Sequence, residues 1–172
     1  MRKETRRRSV LPATAVTAAA AVLFLAGCSG SVQVSPPRTA GVAGAQCAAL
    51  QKLLPSTLMG QQRRSTSPSS DNTAAWGNPA ITLRCGVPVP DVLNPKSADY
   101  DPSAVSTVAN GLCWVTTTGS DGGYRFTTVK QQTYVEVDVP GAYAGQNYPL
   151  PSLVSAISRT DPADPSRVFD CL

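Results

Sequence analysis

The chain has no histidine. That absence excludes imidazole general bases, Ser-His-Asp and Cys-His arrangements, and histidine-ligated metals. Hydroxyl nucleophiles are equally without support. Gly-x-Ser-x-Gly, Ser-x-x-Lys and Lys-Thr-Gly are all missing, so Ser70-Asp71-Asn72 stands as an isolated tripeptide. Lys52, Lys96 and Lys130 are the lysines beyond residue 27 that could serve as a base, and none has supporting context. Charge is scarce, at 15% of 172 residues, and uneven. Residues 1–27 hold five of the fifteen basic groups (Arg2, Lys3, Arg6, Arg7, Arg8) and one of the eleven acids, Glu4. From residue 28 onward ten basic groups face ten acids, so the formal charge of +4 belongs to the leader. A neutral folded part lacks the basic patch that nucleic-acid binding requires, and no nucleic-acid partner is expected. The length allows one ordinary domain and not two.

What is present begins with an address. Residues 1–8 (MRKETRRR) are cationic, and residues 10–26 form an apolar stretch interrupted by Pro12, Thr14 and Thr17. At 17 residues it is short for a permanent span of about 20. Charged head, apolar middle and small-residue end together make a secretory signal over 1–27. Its ending, Leu25-Ala26-Gly27-Cys28, resembles the lipobox of bacterial lipoproteins. In that motif the chain is cut before the cysteine, whose thiol carries a diacylglycerol. The expectation is a lipidated Cys28 that anchors the protein at the extracytoplasmic face of the cell membrane. Arg7-Arg8-Ser9-Val10-Leu11 only loosely matches a twin-arginine export motif and leaves the export route open. Residues 28–45 are small, polar and rich in Pro and Gly, and are expected to be a flexible tether. A single domain is expected over 46–172.

With Cys28 assigned to lipid, Cys47, Cys85, Cys113 and Cys171 remain. An even number in an exported chain predicts two disulfides. A four-cysteine zinc site would show short Cys-x₂₋₄-Cys spacing, which is absent. Neither a metal nor any other cofactor is expected. Three pairings are open to four cysteines. Cys47–Cys85 with Cys113–Cys171 is the expected one, because it would staple an opening helix to an early strand and the C-terminus to the sheet.

Helix formers fill 45–54, with Leu50, Leu53 and Leu54 at helical spacing before Pro55. Residues 60–73 are polar and predict a loop. Alternation predicts strands at 81–85, 112–117, 124–129 and 133–139, the last being the most regular. Residues 86–103 carry four prolines and predict a long connection. A closing helix is expected at 150–158, with Leu153, Val154 and Ile157 on one face. The resulting fold class is α+β: a mostly antiparallel sheet of about four strands, helices packed on one face, braced by two disulfides.

Thr73-Ala74-Ala75-Trp76-Gly77-Asn78-Pro79-Ala80-Ile81-Thr82-Leu83-Arg84-Cys85-Gly86-Val87-Pro88 is a distinctive stretch. Together with Cys47…Leu54-Pro55, Phe126-Thr127-Thr128-Val129 and Tyr134-Val135-Glu136-Val137-Asp138-Val139-Pro140, it resembles the actinobacterial envelope proteins grouped as domain of unknown function 3515. The resemblance covers about residues 46–160. It implies a cell-envelope lipoprotein and supplies no activity, cofactor or catalytic residue.

Two clusters could carry chemistry. Trp76 and Arg84 could form a ligand groove, the arginine pairing a carboxylate or phosphate. The preferred account is structural, with Trp76 as an apolar plug and Arg84 paired to Glu136 or Asp138. Glu136 and Asp138 lie two apart on one strand and share a face. A hydrolase using them needs one carboxyl of raised pKa. If Val135, Val137 and Val139 pack inward, both acids meet water, and a solvated strand face is preferred. Asp99, Asp101, Asp161 and Asp164 lack the pattern of a calcium loop and suit turns. Arg63-Arg64 could touch anionic lipid headgroups, although solvation alone would explain them. The expected function is therefore a non-enzymatic binding module that meets an envelope protein or a cell-wall component. The alternative is a carboxylate-dependent hydrolase acting on cell-wall glycan or lipid-linked substrates.

Overall fold

The computed structural model describes residues 30–119, 121–146, 148–167, 169 and 171. The expected leader over 1–27 and Cys28 lie outside the described residues. Helix α1, Gly41–Leu53, is built from GVAGAQCAALQKL and ends where Leu54 turns extended before Pro55. Cys47 and Leu50 are buried along it, as is Leu54 just beyond, whereas Leu53 is 38% exposed. Helix α2, Leu150–Thr160, buries Leu150, Leu153, Val154, Ala156 and Ile157 as one stripe. Both helices pack on the same face of the sheet, over a core that includes Trp76, Leu83, Trp114, Phe126 and Val137.

The sheet has eight strands rather than about four. The four expected strands are β6 (Ile81–Val87), β8 (Leu112–Thr118), β9 (Tyr124–Thr128) and β10 (Tyr134–Val139). The additional strands are β2 (Thr57–Leu58), β3 (Gln61–Arg64), β5 (Thr73–Trp76) and β7 (Ser106–Ala109). Two of these lie wholly or partly in the stretch expected to be a loop. Strand β3 is polar throughout because it lies near the sheet's edge, where partial solvation removes the demand for apolar alternation. Strand β5 is buried along its whole length, which removes the period-2 signal. A separate two-stranded parallel pair joins β1 (Val32–Gln33) to β4 (Thr66–Ser67).

That pair corrects the expected free tether, since residues 30–45 run against the domain. Val34 is buried at 5% exposure. The Val32 and Val34 amides donate to the Ser65 and Ser67 carbonyls at 2.9 and 3.1 Å. The Asn72 side chain donates to the Pro37 carbonyl and the Thr39 hydroxyl at 2.8 and 2.9 Å. The composition has little to bury, but backbone pairing and side-chain bonds to the backbone supply what the apolar content does not.

The strand order is β2-β3-β5-β6-β10-β9-β8-β7, with every neighbouring pair antiparallel. Two disulfides brace it, Cys47–Cys85 from α1 to β6 and Cys113–Cys171 from β8 to the C-terminal segment. On the face away from the helices, Cys113, Val115 and Val129 form a second small core with Val92, Leu93, Ala104, Phe169 and Cys171. The Pro-rich connection and the C-terminal segment thus cover part of this face. The rest is open.

Candidate functional site

Register decides what occupies the open face. Strand β10 lies between β6 and β9, with Glu136 opposite both Arg84 and Thr127, and Asp138 opposite Thr82 and Arg125. Because Val135, Val137 and Val139 are buried against the helices, Glu136 and Asp138 point away from them. Glu136 is nevertheless only 8% exposed, because arginines flank it. Its Oε1 accepts from Arg84 Nε at 2.9 Å and pairs with Arg84 Nη2 at 2.7 Å. Arg125 Nε lies 3.7 Å from the same oxygen, and Arg125 Nη2 donates to Asp138 Oδ2 at 2.9 Å. The bond to Asp138, with the charges of Glu136 and Asp138, holds the Arg125 guanidinium more firmly protonated against the opposing effect of burial.

Where this ion-pair row meets the Pro-rich connection there is a groove of about 430 Å³. Arg84, Arg125 and Glu136 form its floor, and Val87–Val92, with Asp91, and Asp99 form its wall. The Arg84 and Arg125 side chains are 35% and 45% exposed. Their Nη1 groups have no protein partner among the described residues. Cationic donors and an apolar wall therefore converge on one concavity within the size range of small-molecule sites.

Trp76 takes no part in it. Trp76 is opposite Ile81, on the helix face, and is fully buried, with its indole N–H donating to the Pro55 carbonyl at 3.0 Å. Arg84 is on the other face, so the two do not share a groove. Arg84 pairs with Glu136, one of the two partners the preferred account left open. Arg63 and Arg64 are also occupied. Arg63 lies 5.4 Å over the Trp76 ring and donates to the Leu54 carbonyl, and Arg64 donates to the Gly77 and Gly30 carbonyls. Of the acids considered as calcium ligands, Asp101 and Asp164 serve turns. Asp101 accepts from the Ser103 amide, and Asp164 accepts from Ser166.

Arg125 escapes a reading that treats each strand alone. The signal was the phase of Tyr124-Arg125-Phe126, whose aromatic residues face the helices and so send the arginine to the open face.

A second concavity, about 610 Å³, opens on the helix side between β7, β9 and the start of α2. Tyr124, Phe126 and Tyr148 line it, with ring centroids 5.0 to 6.2 Å apart. Apart from both cavities, Asp161 is buried at 2% exposure beyond α2. Its Oδ1 accepts from the Thr133 amide at 3.0 Å, and Oδ2 has no partner among the described residues. Burial pushes this carboxyl up to about 6, against the Thr133 and Gln132 amides and the charge of Arg167.

Among the described residues no helix is long and apolar enough to cross a membrane. The family model described as "Protein of unknown function (DUF3515)" matches residues 8–166. No curated protein and no solved structure matches the chain.

Proposed function

For this chain, which belongs to the DUF3515 family by a match over residues 8–166, we propose the role of a non-enzymatic binding module. It is held at the extracytoplasmic face of the membrane by a lipid on Cys28. Its ligand, an envelope protein or a cell-wall component, is held in the groove over Arg84, Glu136 and Arg125. The address rests on the cationic head, the apolar stretch and Leu25-Ala26-Gly27-Cys28. Two disulfides agree with an oxidising compartment.

The observation that carries the binding role is the pair of guanidinium Nη1 groups that have no protein partner among the described residues, beside an apolar wall. Such donors are poised for a planar acceptor. Hydrolysis is the weaker reading. A general acid needs a carboxyl kept protonated by an apolar pocket, whereas Glu136 and Asp138 are both paired to arginine. Asp161, whose carboxyl is pushed up to about 6, does not line the groove.

The test is crosslinking in living cells from a photoreactive residue at Val89 on the groove wall, with Val42 on α1 as control. Both side chains are exposed, at 36% and 67%. Adducts from Val89 and none from Val42 are expected; equal yields, or none from Val89, count against the groove. Intact mass of the detergent-extracted protein tests the anchor, and an unmodified full-length chain would end it.

A further inference from the structure

The lining of the groove says which chemistry it would hold. Its floor presents two guanidiniums, Arg84 and Arg125, and its acids are Glu136, Asp91 and Asp99. Glu136 is taken up by the arginines. Asp91 and Asp99 are exposed, and among the described residues neither side-chain carboxylate has a hydrogen bond or ion pair. The groove thus combines cationic donors on one side with carboxylates on another, both reaching water and without protein partners among the described residues, joined by Val87, Pro88, Val89 and Pro90.

That combination discriminates among ligand classes. A simple anion such as phosphate would meet two cations but three carboxylates, a lining that is net negative. A neutral sugar gains most from an aromatic platform, and this groove has none, the aromatic rings being in the other cavity. A molecule with both charges satisfies each side: its carboxylate takes the free arginine edges and its ammonium takes Asp91 and Asp99.

Resting on the groove's being the binding site, we infer that its ligand class is the zwitterionic amino acid or short peptide. The free carboxylate is held by Arg84 and Arg125, the free ammonium by Asp91 and Asp99, and the body lies along the Val-Pro wall.

The experiment is calorimetric titration of the full-length protein in detergent with alanyl-alanine, in the L,L and D,D forms, and with its N-acetyl and C-amide derivatives. At least one zwitterionic form should bind at least tenfold more tightly than either capped derivative. In the Asp91→Asn/Asp99→Asn double variant that advantage over the N-acetyl peptide should vanish, while the N-acetyl peptide binds as before. Both positions are exposed and unpaired among the described residues, and unchanged near-ultraviolet dichroism checks the variant's fold. Equal binding of free and capped peptides would refute zwitterion recognition and leave the groove standing. Binding of inorganic phosphate in preference to every peptide would also refute it. If no peptide binds while Val89 still captures a partner, this inference alone fails; if Val89 captures nothing either, the groove fails with it.

Discussion

Asp161 offers the sharpest quantitative test of the packing. Its carboxyl is 2% exposed, with one oxygen on the Thr133 amide and the other without a partner among the described residues. Burial raises it from 3.8 to about 6. At 1.36 kcal/mol per unit, this corresponds to about 3 kcal/mol of linked stability. The sign follows from which state holds the proton. Between about pH 4 and about pH 6 the folded chain keeps a proton that the unfolded chain has released, so stability falls as pH rises through that window. Below the window the protonated native form is undisturbed, and above it the cost of a buried charge is fully present. Asp161→Asn retains an acceptor for the Thr133 amide and does not titrate. Any fixed cost of burying the amide is the same at every pH and cancels in the comparison. Urea unfolding of both proteins from about pH 4 to about pH 8 should therefore show the wild type losing about 2 kcal/mol more than the variant, the remainder of the ~3 kcal/mol lying below about pH 4 where the unfolded carboxyl finishes titrating. Parallel stability curves would refute the assignment of a buried, proton-binding Asp161.

Three further outcomes are expected. Gly86 has φ +85° and a Cβ there would collide with the Thr39 methyl, so Gly86→Ala should cost about 3 kcal/mol in thermal or urea melts; adding Thr39→Ser should leave the backbone strain in place. Replacing Cys47 and Cys85 together by Ser opens a loop of 38 residues. It should cost about 4 kcal/mol by urea unfolding, with non-reducing peptide maps of the parent giving Cys47–Cys85 and Cys113–Cys171 peptides. Glu136→Gln removes the charge that Arg84 and Arg125 share. With both guanidiniums reaching water, the cost by urea unfolding should be about 1–2 kcal/mol, and the variant's stability should depend less on salt.

The centre of the fold was legible because its strands are half-buried. Ile81, Leu83, Cys85 and Val87 alternate with partly exposed residues, and Val135, Val137 and Val139 alternate with acids. Alternation fails where that condition fails. Gln61–Arg64 lies near an edge, and Thr73–Trp76 is buried on both sides. That Arg84 meets an acid of the last strand was legible from strand phase, whereas the choice of Glu136 over Asp138 and the position of Trp76 depended on register. The wall of the groove had no signature of its own. Asp91 and Asp99 belong to an aperiodic connection whose placement comes from packing Val92 and Leu93 against Val115 and Val129.

The strand order has a consequence for the chain as an assembly of parts. β2-β3-β5-β6 is one continuous meander and β7-β8-β9-β10 is another, and they are joined in the sheet along β6 and β10. Each disulfide stays within one half, Cys47–Cys85 in the first and Cys113–Cys171 in the second. No covalent bond but the Pro-rich connection crosses the seam among the described residues. A single cut in that connection therefore yields two halves, each cross-linked by its own disulfide and held to the other by the seam alone. Co-elution of the halves from a sizing column would show the seam closing by complementarity alone, and separate elution would show that it needs the tie.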